Sequence, residues 1–322
     1  MRGLFFLRGS YKICGMKKYF LARLVQLVPI LFGITFLTFG MMQFAGDDAV
    51  DIIYEQSGSV AEEIKAAKRA ELGLDQPFLI QYGRWLGGIL TGDMGRSFIS
   101  GKLVFKTFAD KLPATIELML VSILLTIFIA TPLGILAAVN QNRPLDYVIR
   151  ALSFVGNSMP NFFCGLLLIY FLALKLNLLP IIGQSVIMPA LTLTIAMGAK
   201  YTRQIRAVVL EELDKPYVIG ARSRGVAEWT ILTKSVLRST LIMIITLLAL
   251  SMGSLLGGTA IVETIFMWDG VGKMAVDAIL TRDYPLIQAY VVWMAIIYVM
   301  MNLAADLLYH WLDPRVRYGE MS

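Results

Sequence analysis

The side chains that most often carry catalytic chemistry are scarce in this chain of 322 residues. It contains one histidine, His310, and two cysteines, Cys14 and Cys164. A hydrolytic site needs a nucleophile beside a base, and a Cys/His metal site needs several ligands close together. One histidine near the end of an apolar segment provides neither. The sequence therefore disfavours a catalytic or metal site within this chain.

The closest approach to a nucleotide-binding motif is the stretch GRSFISGKL, from Gly95 to Leu103. A Walker A loop has four residues between its glycines and a Ser or Thr directly after the lysine. Here five residues separate the glycines, and Leu103 stands where a hydroxyl would bind magnesium. We therefore expect this chain to bind no nucleotide or other cofactor.

A charged segment between two apolar runs is a better candidate for a functional element; it is called the charged island below. It runs from Tyr201 to Thr240, and its basic residues outnumber its acidic ones. Its apolar residues recur at helical spacing and predict two short helices, Asp214–Arg224 and Ala227–Leu237. Gly225 lies between them, where a glycine can end one helix and redirect the chain. Such a helix–turn–helix suits a handle gripped by another protein; the alternative is an amphipathic loop on a bilayer surface.

The composition identifies an all-α integral membrane protein. Hydrophobic residues make up 57% of the chain and charged residues 16%, whereas soluble domains carry about a quarter charged residues. A helix needs about 20 apolar residues to cross the hydrocarbon. Six segments meet this requirement: Leu24–Ala45, Ile116–Val139, Val148–Leu174, Leu178–Ala199, Leu241–Val262 and Leu286–Ala305.

The distribution of basic residues predicts the orientation. Most of the 29 lysines and arginines fall on one side if both termini are cytoplasmic, as the positive-inside rule requires. The net charge of +6 reflects this topology and gives no argument for nucleic acid. The predicted parts are a cytoplasmic tail 1–23, span one 24–45, an extracytoplasmic helical segment 46–111, a core 112–312 that includes the cytoplasmic loop 201–240, and a cytoplasmic tail 313–322.

The extracytoplasmic segment carries its own helix signals. Ser59 and Glu62 form a capping-box pattern at a helix start, and Gly73 is placed to end that helix. Two further amphipathic patterns follow, Phe78–Leu90 and Leu103–Leu112. We therefore expect this segment to be folded.

Several motifs resemble the peptide/nickel branch of ABC-importer permeases. The charged island is similar to the family's coupling loop, which reads Ala-Arg-x-x-Gly and later Leu-Arg. The matching residues are Ala221, Arg222, Gly225, Leu237 and Arg238. The stretch Glu263-Thr-Ile-Phe-x-Trp268 also matches, although Asp269 follows where the family has proline. The resemblance covers about Leu21 to Arg317.

This resemblance implies the fold and the partners. The fold would be that of a type I ABC-importer permease with six transmembrane helices, in a bacterial or archaeal cell (inner) membrane. The partners would be a second homologous permease, two ABC ATPase subunits, an extracytoplasmic substrate-binding protein and membrane lipid. ATP and Mg²⁺ would bind at the ATPase subunits.

Residues within the spans are candidates for the pathway or for helix interfaces. Asn157, Ser158 and Asn161 are polar residues in span three and predict a pathway lining. Gly253 and Gly257 form a small-xxx-small face suited to close helix contact. Glu263 lies near the end of span five, where it would serve the pathway or pair with a neighbouring helix.

Other functional classes fit the sequence less well. A secondary transporter is expected to have an internal repeat and functional mid-membrane ionisable residues, and neither is clear in this sequence. A membrane-embedded enzyme is expected to have a nucleophile and a base within its spans, and this sequence offers no such pair. Within the importer reading, the short loop Leu176–Gln184 and the stretch Ser158-Met-Pro-Asn-Phe162 favour nickel or a nickel/metal chelate as substrate. The alternative substrates are di- or oligopeptides.

Overall fold

The computed structural model describes residues 25–26, 28–43, 50–51, 54, 61–180 and 185–312. The predicted tails 1–23 and 313–322 lie outside the described residues. Across the described ranges the chain is helical, and the only extended pairing is an isolated antiparallel bridge between Arg96 and Leu103.

The described helices, in chain order, are α1 Val28–Gln43, α2 Glu62–Leu72, α3 Phe78–Thr91, α4 Val104–Val139, α5 Pro144–Ser158, α6 Asn161–Leu168, α7 Ile187–Leu213, α8 Pro216–Ser223, α9 Glu228–Ile231, α10 Leu237–Ile265, α11 Val271–Leu280 and α12 Tyr284–Leu312. Two wider π-helical stretches continue α6 and α9, namely Ile169–Lys175 and Leu232–Val236.

The helices form two compact units. The first contains the described residues up to Asp110 together with Asp277–Leu303. The second contains Lys111–Val276 and the described residues from Ala304 onward.

Three described helical stretches are long and apolar enough to cross a membrane: Val104–Val139, Glu228–Leu247 and Tyr284–Ala305. A fourth candidate is the pair α5 and Asn161–Lys175, whose axes meet at 106°. These stretches confirm a helical membrane protein, whereas the count of six spans stays a prediction.

The segment predicted as span three, Val148–Leu174, is not one continuous helix. The helix ends at Ser158 and restarts at Asn161 because Pro160 has no N–H to continue the ladder. The residue before a proline is also driven out of the helical region, and Met159 accordingly has φ −84° and ψ 132°.

The predicted boundary of span four also differs from the structure. The prediction placed the helix at Leu178–Ala199, but α7 begins at Ile187 and continues to Leu213. Lys200, Arg203 and Arg206 end the apolar run without ending the helix, since lysine and arginine are good helix formers. The first part of the charged island is therefore helix rather than loop.

The described helices near the N-terminal end follow part of the prediction. α2 begins at Glu62 after Ala61, which makes no side-chain cap, and Ser59 lies outside the described residues. Gly73 ends α2 with φ 68°, and the Leu74 N–H donates to Arg69 O at 2.9 Å. α3 confirms the Phe78–Leu90 pattern. The Leu103–Leu112 pattern is not a separate helix but the start of α4.

Helix α7 is the central element of the second unit. Close approaches to it depend on glycines in α4 and α5. A Cβ on Gly134 would lie 2.8 Å from Ile205 Cβ, and one on Gly156 would lie 3.1 Å from Ala199 Cβ. Because glycine has no side chain, α4 and α5 approach α7 closely at these positions. A displacement of α7 would therefore also displace both of these helices.

Candidate functional site

The junction between α7 and α8 is held by a hydrogen-bonded carboxylate. The Tyr217 hydroxyl donates to Glu212 Oε1 at 2.7 Å, and Lys215 pairs with Glu212 Oε2. Pro216 occupies the first turn of α8, where a missing N–H costs nothing. Burial acts to raise the pKa of the Glu212 carboxyl, but hydrogen bonds from Lys215 and Tyr217 outweigh it and leave that pKa below its ordinary value.

The turn after α8 depends on Gly225. Its φ is 75°, in the left-handed region, and its N–H donates to Arg222 O at 2.9 Å. The Val226 N–H donates to Ala221 O at 3.2 Å. These bonds satisfy carbonyls at the end of α8. The predicted redirection of the chain at Gly225 is thus present in the backbone.

An ion pair connects α8 to α9. Arg222 donates from Nε to Glu228 Oε1 at 2.6 Å and from Nη2 to Glu228 Oε2 at 3.2 Å. This fork geometry is the strongest arrangement for an arginine and a carboxylate. Both side chains are largely exposed, so the pair orients the turn more than it stabilises the fold.

Beneath the turn, an apolar cluster fixes α8 and α9 to the longer helices. Val218 of α8, Ile231 of α9 and Val236 of the π-helical stretch are almost completely buried. They belong to one cluster with Val209 of α7 and Ile244 of α10. Full burial of each such side chain contributes roughly 1.5–3 kcal/mol. Residues 216–236, hereafter the handle, are therefore a packed extension of α7 and α10.

Two of the predicted coupling residues are half-buried, and their role in coupling stays a prediction. Ala221 packs against the handle's own cluster. Leu237 is also half-buried, at the start of α10, whereas Arg238 beside it is exposed.

The exposed side of the handle carries other residues. We define its outer face as Ile219, Arg222, Val226 and Trp229. Trp229 is 75% exposed and Ile219 53% exposed. Neither Ile219 nor Trp229 is among the residues that match the coupling-loop motif. A usable signal in the sequence is that both fall outside the apolar helical spacing that includes Val218 and Ile231.

A second ionic contact lies on α7, and no local sequence pattern predicts it. Asp146 of α5 is fully buried and receives two hydrogen bonds of 2.7 Å from Arg206, together with one of 3.0 Å from the Asn142 N–H. Asn142 has φ 59° in the turn between α4 and α5. This contact ties that turn to α7.

Glu263 is an interhelical partner. It is fully buried, accepting from Thr115 Oγ1 at 2.8 Å and from the Lys273 N–H at 2.9 Å. Thr115 in turn accepts from the Val271 N–H at 2.9 Å. These bonds join α4, α10 and α11 and satisfy the buried carboxylate.

Next to this network, Asp269 replaces the family's proline. Its carboxylate pairs with Lys111, and the neighbouring Trp268 donates from Nε1 to Ala114 O at 2.9 Å. The substitution therefore adds an ionic contact to the start of α4.

The pathway candidates occupy the bend between α5 and α6. Asn157 and Ser158 are exposed and Asn161 is half-buried. The Ser158 hydroxyl donates to Phe154 O of its own helix at 2.9 Å.

The two interface glycines both lie in α10. Gly253 is buried within the chain, and the surroundings of Gly257 are outside what the structure describes.

Comparison with known proteins agrees with this architecture. The family model "Binding-protein-dependent transport system inner membrane component" matches residues 130–318, and its N-terminal companion matches residues 16–119. The oligopeptide transport system permease protein AppB of Bacillus subtilis is 37% identical over 94% of this chain and 100% of its own length. The glutathione transport system permease protein GsiC of Salmonella paratyphi A is 34% identical over 94% of this chain and 100% of its own length.

Solved structures show the same fold at low sequence identity. The MetNI methionine ABC transporter in an inward-facing conformation superposes with a TM-score of 0.58, at 17% identity over 65% of this chain and 97% of that one. An amino acid ABC transporter with histidines superposes with a TM-score of 0.52, at 20% identity over 66% of this chain and 94% of that one. From the family match and the full-length relatives, the chain belongs to the family of binding-protein-dependent transport system inner membrane components, as a multi-pass bacterial inner-membrane permease of the peptide/nickel type of ABC importer.

Proposed function

We propose that this chain forms the translocation pathway of an ATP-driven importer together with a second homologous permease, and that it receives force through the handle. The observation that carries the proposal is the two-sided construction of residues 216–236. One side is packed into the cluster shared with α7 and α10, and the other presents an apolar and basic outer face. A segment that is held rigidly yet exposes a tryptophan suits a protein contact.

The partners follow from the family. Two ABC ATPase subunits would bind ATP and Mg²⁺ and grip the handles, and an extracytoplasmic binding protein would deliver substrate. The permease itself would be non-catalytic. Closure of the ATPases would push on α8, and the shared cluster would pass that displacement to α7 and α10 as rigid bodies.

The links from α7 extend the path of that displacement. Asp146 and Arg206 connect α7 to the turn before α5, and the glycine contacts hold α4 and α5 against it. The polar bend of Asn157, Ser158 and Asn161 stands at the far end of α5. Movement of α7 would therefore reach the candidate pathway residues through α5.

For the substrate, we favour di- or oligopeptides over nickel. The names of the relatives reported above specify oligopeptide and glutathione, which is itself a peptide. The preference for nickel drawn from two short stretches is not supported by these names. The test is uptake of a radiolabelled dipeptide and of ⁶³Ni²⁺ by the same cells, with and without this gene. Loss of nickel uptake alone would reverse the assignment.

The coupling role is tested most directly on the outer face. Ile219→Asp places a charge on an exposed position, so it should preserve insertion and abundance while removing ATPase subunits from the purified complex and abolishing uptake. Gln141→Asp, an exposed charge in the turn between α4 and α5, is the matched control and should retain both. Full uptake with Ile219→Asp would mean that energy enters the permease elsewhere.

The orientation is tested separately. Reporter fusions after Asp214 and after Lys102 should read cytoplasmic and extracytoplasmic, respectively. An extracytoplasmic signal after Asp214 would rule out contact between the handle and a cytoplasmic ATPase.

A further inference from the structure

Helix α3 lies in the predicted extracytoplasmic segment but packs against the apolar helix α1, which belongs to predicted span one. Tyr82 is buried, and its hydroxyl lies 3.0 Å from Thr35 Oγ1. The Tyr82 ring is 5.3 Å from that of Phe36 and 5.6 Å from that of Phe39. α3 is therefore attached to α1 by an aromatic cluster.

These contacts extend along α1 into its middle. Thr35 and Phe36 are the central residues of the apolar helix Val28–Gln43. At 1.5 Å per residue, Phe36 lies about 10 Å before Gln43, the last described residue of that helix. No charged residue occurs in residues 28–43, so the middle of α1 belongs in hydrocarbon. A helix that packs there lies below the level of the lipid headgroups.

The opposite side of α3 is apolar, and it is exposed within the part of the chain that the structure describes. Five residues form this face: Leu79, Ile80, Gly83, Gly87 and Leu90. At 3.6 residues per turn they share an arc of about 100°. Leu79 is 69% exposed and Leu90 80% exposed. Nothing within the described part of the chain approaches the Cβ positions of Gly83 or Gly87 within 4 Å.

The charge pattern changes sharply between α2 and α3. α2 is charged along its length and carries several ion pairs, including that of Lys68 with Glu71. α3 has one charged residue, Arg84, at the edge of the apolar face, where it donates to Gln76 Oε1 at 3.0 Å. A single arginine directed toward a polar loop is typical of side chains that reach from an apolar layer to the headgroups.

We propose that α3 is embedded in the outer leaflet of the membrane, lying across α1 with Leu79, Ile80, Gly83, Gly87 and Leu90 against lipid acyl chains. The occupant of the exposed face is lipid because α3 packs at the level of Phe36 on α1, where the neighbouring Leu37 is itself an exposed apolar side chain. An amphipathic helix at this depth is stabilised by its buried apolar area. The proposal does not depend on the handle or on its partners.

The test places a nitroxide spin label at position 79 or 90. The variants are Leu79→Cys and Leu90→Cys, with the native cysteines replaced, in the assembled importer reconstituted into proteoliposomes. Glu63→Cys on the charged helix α2 is the matched control. Accessibility is measured to oxygen, which concentrates in lipid, and to water-soluble chromium oxalate.

At positions 79 and 90 the expected result is high oxygen accessibility and low chromium accessibility, with the reverse at position 63. High chromium accessibility that falls when the binding protein is added would overturn the proposal in favour of a docking surface for that protein. Low accessibility to both reagents would overturn it in favour of a contact with the second permease.

Discussion

Arg206 and Asp146 form a two-point contact, with Nε and Nη2 of the guanidinium each 2.7 Å from a different carboxylate oxygen. The residues lie 60 positions apart in sequence. Asp146 is fully buried, and the Arg206 side chain is 18% exposed. Among the described residues no other ion pair joins α5 and the turn before it to α7, so this pair carries the connection.

Asp146→Asn should lower the stability of the permease substantially. Removal of one partner of a buried ion pair costs roughly 3–5 kcal/mol, because the other charge stays without compensation. The measurement is the thermal unfolding temperature of the purified protein. Arg150→Ala is the control: Arg150 lies 3.8 Å from the same carboxylate but is largely exposed, so its loss should cost about 1 kcal/mol or less. Equal shifts for both variants would contradict the assignment.

The junction at Glu212 should weaken in acid. The folded-state pKa of this carboxyl is below its ordinary value of 4.5, so the folded protein holds the ionised form more firmly than the unfolded chain does. The resulting stability is fully present above pH 4.5 and is lost as the pH falls through the folded-state pKa. The thermal unfolding temperatures of the wild type and Glu212→Gln should therefore differ at neutral pH and converge below pH 4.5. A constant difference across that range would show that ionisation of Glu212 does not contribute.

Substitutions of Gly225 should act only through the backbone conformation that the new residue prefers. Its φ of 75° is left-handed, and nothing lies within 4 Å of a Cβ built there, so a substitution meets strain without steric overlap. Gly225→Val should cost more than about 1 kcal/mol, whereas asparagine tolerates this conformation better. We therefore expect substrate-stimulated ATP hydrolysis to decrease in the order glycine, asparagine, alanine, valine. An asparagine variant as impaired as the valine variant would point to a contact with the glycine surface itself.

Substitutions of Gly270 should lower the stability of the protein through the volume of the added side chain. An added Cβ would overlap Glu263 Oε2 and Thr115 Oγ1, and separation of those atoms breaks the network among α4, α10 and α11. Gly270→Ala should therefore destabilise the protein by about 1–3 kcal/mol, the range for overpacking. In Gly220→Ala, within α8, the added methyl has open space, and helix propensity predicts a gain of about 0.5–1 kcal/mol. The comparison of their unfolding temperatures tests the prediction; a stable Gly270→Ala protein would contradict it.

The parts predicted well from sequence are those with local patterns. The helices of the handle and the turn at Gly225 follow from apolar spacing and one glycine, which act over a few residues. The end of α7 at Leu213 was missed, because hydropathy marks where apolar residues stop and not where backbone hydrogen bonds stop. The Asp146–Arg206 contact was missed because no local pattern pairs residues so far apart.

The directions of the side chains in the handle are also not specified by the local motif in the sequence. Ala221 matches a family motif, but the motif does not indicate that its side chain packs in part against the handle's own cluster. Identity at a motif position predicts backbone geometry more securely than it predicts which surface the side chain faces. The exposed residues Ile219 and Trp229 became visible only once the buried cluster was defined.

The π-helical stretch Leu232–Val236 gives the connection between α9 and α10 an adjustable register. A π-helical turn holds one residue more than an α-helical turn. Loss or gain of one residue there would rotate α9 by about 100° about the helix axis while both flanking helices stay intact. The length of this stretch, independent of its side chains, thus determines the direction about the helix axis in which Trp229 points. A one-residue change there is a route by which a permease of this fold would adapt to an ATPase subunit of different shape.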